Sequence, residues 1–182
     1  MAMAPPIAIP QLLKRFEMVV DHGIIDNREK ELVMDFLVTH KDVSLNFVVD
    51  IVKNSSRIAW PIRVAEKIME KKAYTGLLLE SLKIHMDVFD EKVLERNIEI
   101  LLALKDVSDE RVVEPASVLM GSRDESVRMA ALECLEAQAL ENQKARQHFI
   151  QLLEAPLTDD NSRFLGLVRS VVEKHQWAPT AL

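Results

Sequence analysis

Residues 112–135 read VVEPASVLMGSRDESVRMAALECL, and this stretch decides the fold. It spells a helix carrying Pro115, an apolar run ending at Leu119-Met120, and a tight polar turn, Gly121-Ser122-Arg123-Asp124. A second helix then opens Glu125-Ser126-Val127-Arg128 and continues through Met129-Ala130-Ala131-Leu132 to Leu135. One such pair cannot bury its own apolar face. It needs neighbours of the same kind stacked against it.

Those neighbours are legible on both sides. An arginine sits early in the second helix of each predicted pair, at Arg63, Arg96, Arg128 and Arg163, with spacings of 33, 32 and 35 residues. A period in the thirties with two helices per unit is the signature of an α-solenoid. Two and five residues beyond the arginine come Ala65/Ile68, Ile98/Leu101 and Leu165/Val168, all apolar, whereas the Arg128 unit gives Ala130/Glu133 and is out of register.

The spacing predicts repeats over residues 44–71, 74–104, 109–139 and 142–175. In the first, a helix over Ser44–Lys53 faces Leu45, Val48, Val49 and Val52 inward, and the next begins at Trp60-Pro61. In the second, Tyr74–Ile84 and Glu91–Leu104 flank a turn at Asp87–Asp90, with Leu101 and Leu102 inward. In the last, Asn142–Glu154 and Arg163–His175 flank a turn at Pro156–Ser162. Upstream, residues 11–40 read as an atypical capping pair. Its first helix, Gln11–His22, turns Leu12, Leu13, Phe16, Val19 and Val20 inward and ends at Gly23. Asp26-Asn27-Arg28-Glu29 then resembles a capping box, opening a helix to His40 with Leu32, Val33, Phe36 and Leu37 inward. Residues 1–10 form an apolar arm in which Pro5, Pro6 and Pro10 argue against a regular helix. Residues 178–182 are a tail, and residues 11–177 are expected to form one domain.

Composition narrows the function. At 48% hydrophobic and 29% charged residues, the chain has a globular balance far from disorder. The net charge of −6 disfavours nucleic acid as the main partner, because a phosphate-binding surface needs a basic excess. The single cysteine, Cys134, excludes an intramolecular disulfide, lies on an apolar helical pattern and fits a reducing compartment. No apolar run reaches the ~20 residues of a membrane span, and the first residues lack the basic region of a signal peptide, so the cytoplasm is the expected location. Glycines at 23, 76, 121 and 166 make no phosphate-binding loop, the histidines do not cluster, and no serine or cysteine sits in a nucleophile frame. No cofactor and no metal are expected.

The 112–135 unit resembles a HEAT repeat: the proline within its first helix, the acidic turn ending at Asp124, and Val127-Arg128 opening the second helix. The resemblance implies an all-α, right-handed α-α superhelix of about five helix pairs. It also implies a non-catalytic scaffold or adaptor that binds a protein partner along the concave groove of its second helices. In such repeats the turn acid and the arginine form a ladder between units; here the spacing varies, Asp124 to Arg128 against Asp90 to Arg96. Hydroxylases of this architecture carry His-Glu pairs, and none of His22, His40, His85, His148 or His175 is followed by Glu. The alternative is a HEAT-like lyase or accessory enzyme binding a small ligand in the groove.

Candidate partner-binding residues are Trp60, Arg63, Lys67, Arg96, Arg128, Arg163 and Trp177. The arginines offer planar bidentate donors to acidic groups, or else cap turns and tie neighbouring repeats together. Lys67 lies in a stretch of mixed sign that reads as a solvated face. Tryptophan is enriched at binding hot spots, although both tryptophans also suit cap or core packing. Six methionines at helical spacing, among them Met18 and Met120, read mostly as core. The sequence leaves the partner's identity and the oligomeric state open.

Overall fold

The computed structural model describes residues 5–20, 23–86, 90–154 and 162–177. Among them there are ten α-helices and no strand. The chain divides into two compact units, residues 1–103 and 104–182. The division falls within a helix.

The first unit holds α1 (Pro5–Leu13), a 3-10 turn (Lys14–Glu17), α2 (Gly23–Thr39), α3 (Lys41–Asn54), α4 (Ala59–Ile68), α5 (Lys71–His85) and most of α6 (Glu91–Lys105). α3 and α4 pack as a pair. α1, α3 and α5 follow one another in contact, and α2 packs on α4. Ile9, Leu37, Val48, Val52, Ile58, Val64, Leu78, Leu82 and Ile100 are fully enclosed between these helices. Pro61 falls in the first turn of α4, where its missing N–H breaks no helical bond.

The second unit holds a 3-10 turn (Glu110–Val112), α7 (Val113–Leu119), α8 (Glu125–Ala139), α9 (Gln143–Leu153) and α10 (Ser162–Lys174). α7 pairs with α8 and α9 with α10, and α7 also touches α9. α8 is tied to α10 by Glu125–Arg163 at 3.4 Å, and by Glu136 to Lys174 at 2.8 Å and to His175 at 2.7 Å. Asp124 caps α8, accepting the Val127 N–H at 2.9 Å, and Asn142 caps α9 through Lys144 and Ala145. Cys134, Leu135, Phe149 and Val168 fill the core.

Four predictions near the N-terminus are corrected. The prolines do not prevent a helix: Pro5 and Pro6 occupy its first turn, and Pro10 lies three residues from its end. Ile9 and Leu13 are buried, so this helix packs as the apolar segment was expected to, although Ile7 is exposed. The helix predicted to reach His22 stops at Leu13 and tightens to a 3-10 turn, leaving Met18, Val19 and Val20 exposed. Gly23 begins α2 instead of ending the previous helix, and Asp26 is not a cap. Asp26 lies inside α2, buried, bonded to Arg15 at 2.5 Å and to Lys30 at 2.7 Å. Leu32, Leu45 and Leu102, expected inward, are exposed. The inward face of α2 runs through Asp26, Lys30, Val33 and Leu37, and Leu32 sits about 100° round the helix from Val33. Residues 1–4, His22, most of the Asp87–Asp90 and Pro156–Ser162 turns, and the 178–182 tail lie outside the described residues.

Few helices end on glycine. No described glycine has a positive φ. Side chains instead take up the carbonyls that a helix C-terminus leaves unpaired. Arg96 of α6 donates to Val52 O and Lys53 O in the last turn of α3, at 2.8 and 2.9 Å. Gln138 of α8 donates to Val107 O at 2.7 Å and Leu104 O at 3.3 Å, beyond and within the end of α6. Arg146 of α9 donates to Ala139 O and Leu140 O at the end of α8.

Candidate functional site

A candidate lies in the first unit, where residues of the loop between α3 and α4 and of α6 line one cleft. A cleft of about 400 Å³ opens there, lined by Phe16, Val19, Ile58, Trp60 and Ile98, with Lys30, Arg57, Glu95 and Glu99 supplying its charges. Phe16 and Trp60 stack at 5.9 Å with their planes 8° apart. The 3-10 turn that follows α1 carries Phe16, and the first turn of α4 carries Trp60, so the aromatic floor joins two helix pairs. A neighbouring hollow of about 640 Å³ continues past Ser56, Arg57 and Glu95 to Glu17, Glu91 and Lys92.

The cations on the loop side are already engaged. Arg57 donates to Glu17 O at 2.5 Å. Lys30 is buried and donates to Asp26 at 2.7 Å. Glu91, Glu95 and Glu99 follow one another at four-residue spacing along α6, and no described cation lies within ion-pair distance of any of them. Partial burial pushes the Glu99 carboxyl above its ordinary range; Arg63 opposes the shift and Glu95 adds to it. Such a cleft can hold an apolar or cationic side chain. Among the described residues no group of three or more His, Cys, Asp or Glu side chains could hold a metal ion.

The predicted residues separate into distinct roles. Trp60 floors the cleft. Arg63 is exposed beside it, its guanidinium 5.0 Å from the Trp60 ring. Lys67 is exposed one turn further along α4. Arg96 cannot line a groove: it is 2% exposed, and it donates to Ser81 O as well as to Val52 O and Lys53 O. With no carboxylate beside it, burial pushes its guanidinium down to about 10. Arg128 is half-buried, donates to Ser122 O and Arg123 O, and lies 5.6 Å from the Phe164 ring. Arg163 is exposed and pairs with Glu125. Trp177 folds back onto its own unit, edge-on to Phe149 at 5.2 Å and stacked on His175 at 4.8 Å. Its backbone N–H donates to Val172 O, and Gln176 before it takes φ 54°.

Sequence patterning missed Arg57 and the Glu91, Glu95, Glu99 stripe as parts of a site. The four-residue spacing of the stripe was visible, but its lack of partners was not. Of the methionines singled out, Met120 is buried and Met18 exposed, with Met34, Met69, Met86 and Met129 between. No helix among the described residues is long and apolar enough to cross a membrane. No family model, no curated protein and no solved structure matches this chain.

Proposed function

We propose that the chain is a HEAT-like, right-handed α-α solenoid of about five helix pairs, acting without catalysis as a cytoplasmic scaffold for a protein partner. The partner lies along the second helices of the pairs. The observation that carries this reading is the order of neighbours within each unit. First helices touch first helices (α1, α3, α5; α7, α9), while α2 packs on α4 and α8 is tied to α10. Within each unit that order gives the second helices a common side; Trp60, Arg63 and Lys67 lie on the second helix α4 of the first unit and Arg163 on α10 of the second, none of them consumed by the core.

The test is affinity capture by the full chain beside an Arg63→Glu/Arg163→Glu variant. Both positions are exposed, so the fold is expected to survive, as circular dichroism would check. A partner held by the wild type and lost by the variant supports the reading. Equal capture by both moves the interface off the second helices. The small-ligand alternative draws support from one observation, the open cleft with its raised Glu99. A thermal-shift screen tests it, and a hit that protects Trp60 from fluorescence quenching would favour it over the scaffold.

A further inference from the structure

We propose that the cleft floored by Phe16 and Trp60 is the docking groove for a basic segment of the protein partner. A lysine or arginine stem would lie along Trp60 and Ile98, with its charge against Glu95 and Glu99. This rests on the scaffold reading and names the chemistry of the occupant.

The groove is apolar at its base, and on its α6 side the rim carries two carboxylates, Glu95 and Glu99. Long basic side chains suit such a place, since they bury an alkyl stem and keep the cation at the edge. Trp60 adds the attraction of a ring face for a cation, a role it already plays toward Arg63. The rim carboxylates lie one helical turn apart, where like charges repel. No described cation forms an ion pair with them: Lys30 is held by Asp26, Arg57 donates to Glu17 O, and Arg63 acts on Glu99 only at longer range. A cation from outside removes that repulsion and the burial cost on Glu99 together. An acidic segment would add to both.

The probe is a fluorescein-labelled nonapeptide of alternating lysine and leucine, titrated into the full chain and read by anisotropy. Glu95→Gln/Glu99→Gln keeps the shape of the rim and removes its charge. Glu114→Gln/Glu173→Gln removes the same charge from exposed positions in the second unit. The expected result is a loss of roughly tenfold or more in affinity for the first variant and none for the second. A peptide with acetylated lysines should bind as poorly to the wild type as the lysine peptide binds to the rim variant. Equal loss in both variants would mean general attraction to a chain of net charge −6 and would overturn the proposal. So would unchanged binding by the rim variant, absence of saturable binding, or full competition by spermidine at the same affinity. Trp60→Leu should also weaken binding; if it fails to fold, the rim variant decides alone. Capture of the native partner separates this proposal from the broader one. A partner retained by Glu95→Gln/Glu99→Gln but lost by Arg63→Glu/Arg163→Glu overturns the groove and leaves the scaffold standing.

Discussion

Arg96→Met is the substitution that probes the first unit most sharply. It keeps most of the volume and removes every donor. Arg96 makes three bonds to carbonyls, Ser81 O at 3.0 Å, Val52 O at 2.8 Å and Lys53 O at 2.9 Å. Bonds from a charged donor contribute about 1.5–3 kcal/mol each. Against them stands the cost of keeping a guanidinium charged away from water. Its pKa is pushed down to about 10, which corresponds to a cost on the order of 3 kcal/mol. The bonds outweigh the burial, but not by all they gain. Methionine removes both terms and leaves Val52 O, at the end of α3, enclosed without a donor, while Lys53 O keeps only the His85 ring nitrogen at 3.4 Å. The expected loss is about 2–4 kcal/mol. Arg96→Ala adds a cavity and should lose about 3–5 kcal/mol. Arg96→Lys keeps a charge but not the fork, and should fall between methionine and wild type.

The assay is urea unfolding of the full chain in a Trp177→Phe background, so that Trp60 fluorescence reports the first unit while far-ultraviolet circular dichroism follows all helices. A loss below about 0.5 kcal/mol for Arg96→Met would refute the reasoning. It would mean that the carbonyls find other donors and that the arginine is not what closes α3.

Three other outcomes follow from the same structure. Lys30 first and Arg15 second hold the Asp26 carboxyl below its ordinary range. Its contribution is therefore fully present above about pH 4 and is lost as pH falls through the lowered pKa; Asp26→Asn should flatten that acid limb of the stability curve, and an unchanged limb would show that the pair is idle. Burial pushes the Cys134 thiol up to about 12, so a thiol-reactive disulfide should label it in native protein only as fast as the unit opens, and at once in urea; rapid native labelling would contradict its place in the core. Gln176 adopts φ 54° where the end of α10 turns over, with Trp177 N–H bonded back to Val172 O; Gln176→Gly should stabilise the second unit by about 0.5 kcal/mol, measured as a rise in urea midpoint at constant slope.

Much of the architecture could be read from periodicity, and what could not has physical causes. Glu91–Leu104 and Arg163–His175 were placed within a residue or so of α6 and α10, because long amphipathic helices announce themselves at both ends. The N-terminal region could not be read this way. Proline tolerance depends on which turn of the helix it occupies, and Pro5 and Pro6 fall where no N–H is needed. Asp26 followed by Glu29 has the pattern of a capping box, yet the carboxylate goes to Arg15 and Lys30. A pattern of two residues carries no information about a partner eleven residues upstream. The cleft was half legible. Trp60 stood out by residue type, but its floor partner Phe16 and the loop residue Arg57 reach the cleft through tertiary packing alone.

The recurring arginine hides two different jobs behind one period. Arg96 and Arg128 turn inward and serve carbonyls at helix ends and turns, alongside Gln138 and Arg146. A chain with 4 glycines, none of them at positive φ among the described residues, lacks the usual backbone means of closing helices and closes them with side chains instead. Arg63 and Arg163 have no such carbonyl, stay exposed, and meet an aromatic ring and a single carboxylate. Structural duty thus removes half of the arginine series from the surface. In the first unit Arg63, with Trp60 and the unpaired carboxylates of α6, makes a mixed-sign surface around an apolar cleft. Selectivity on such a surface comes from matching charge pattern rather than from net attraction, which is why, for the proposed basic segment, reversing the charge of Arg63 and neutralising Glu95 and Glu99 should have opposite effects.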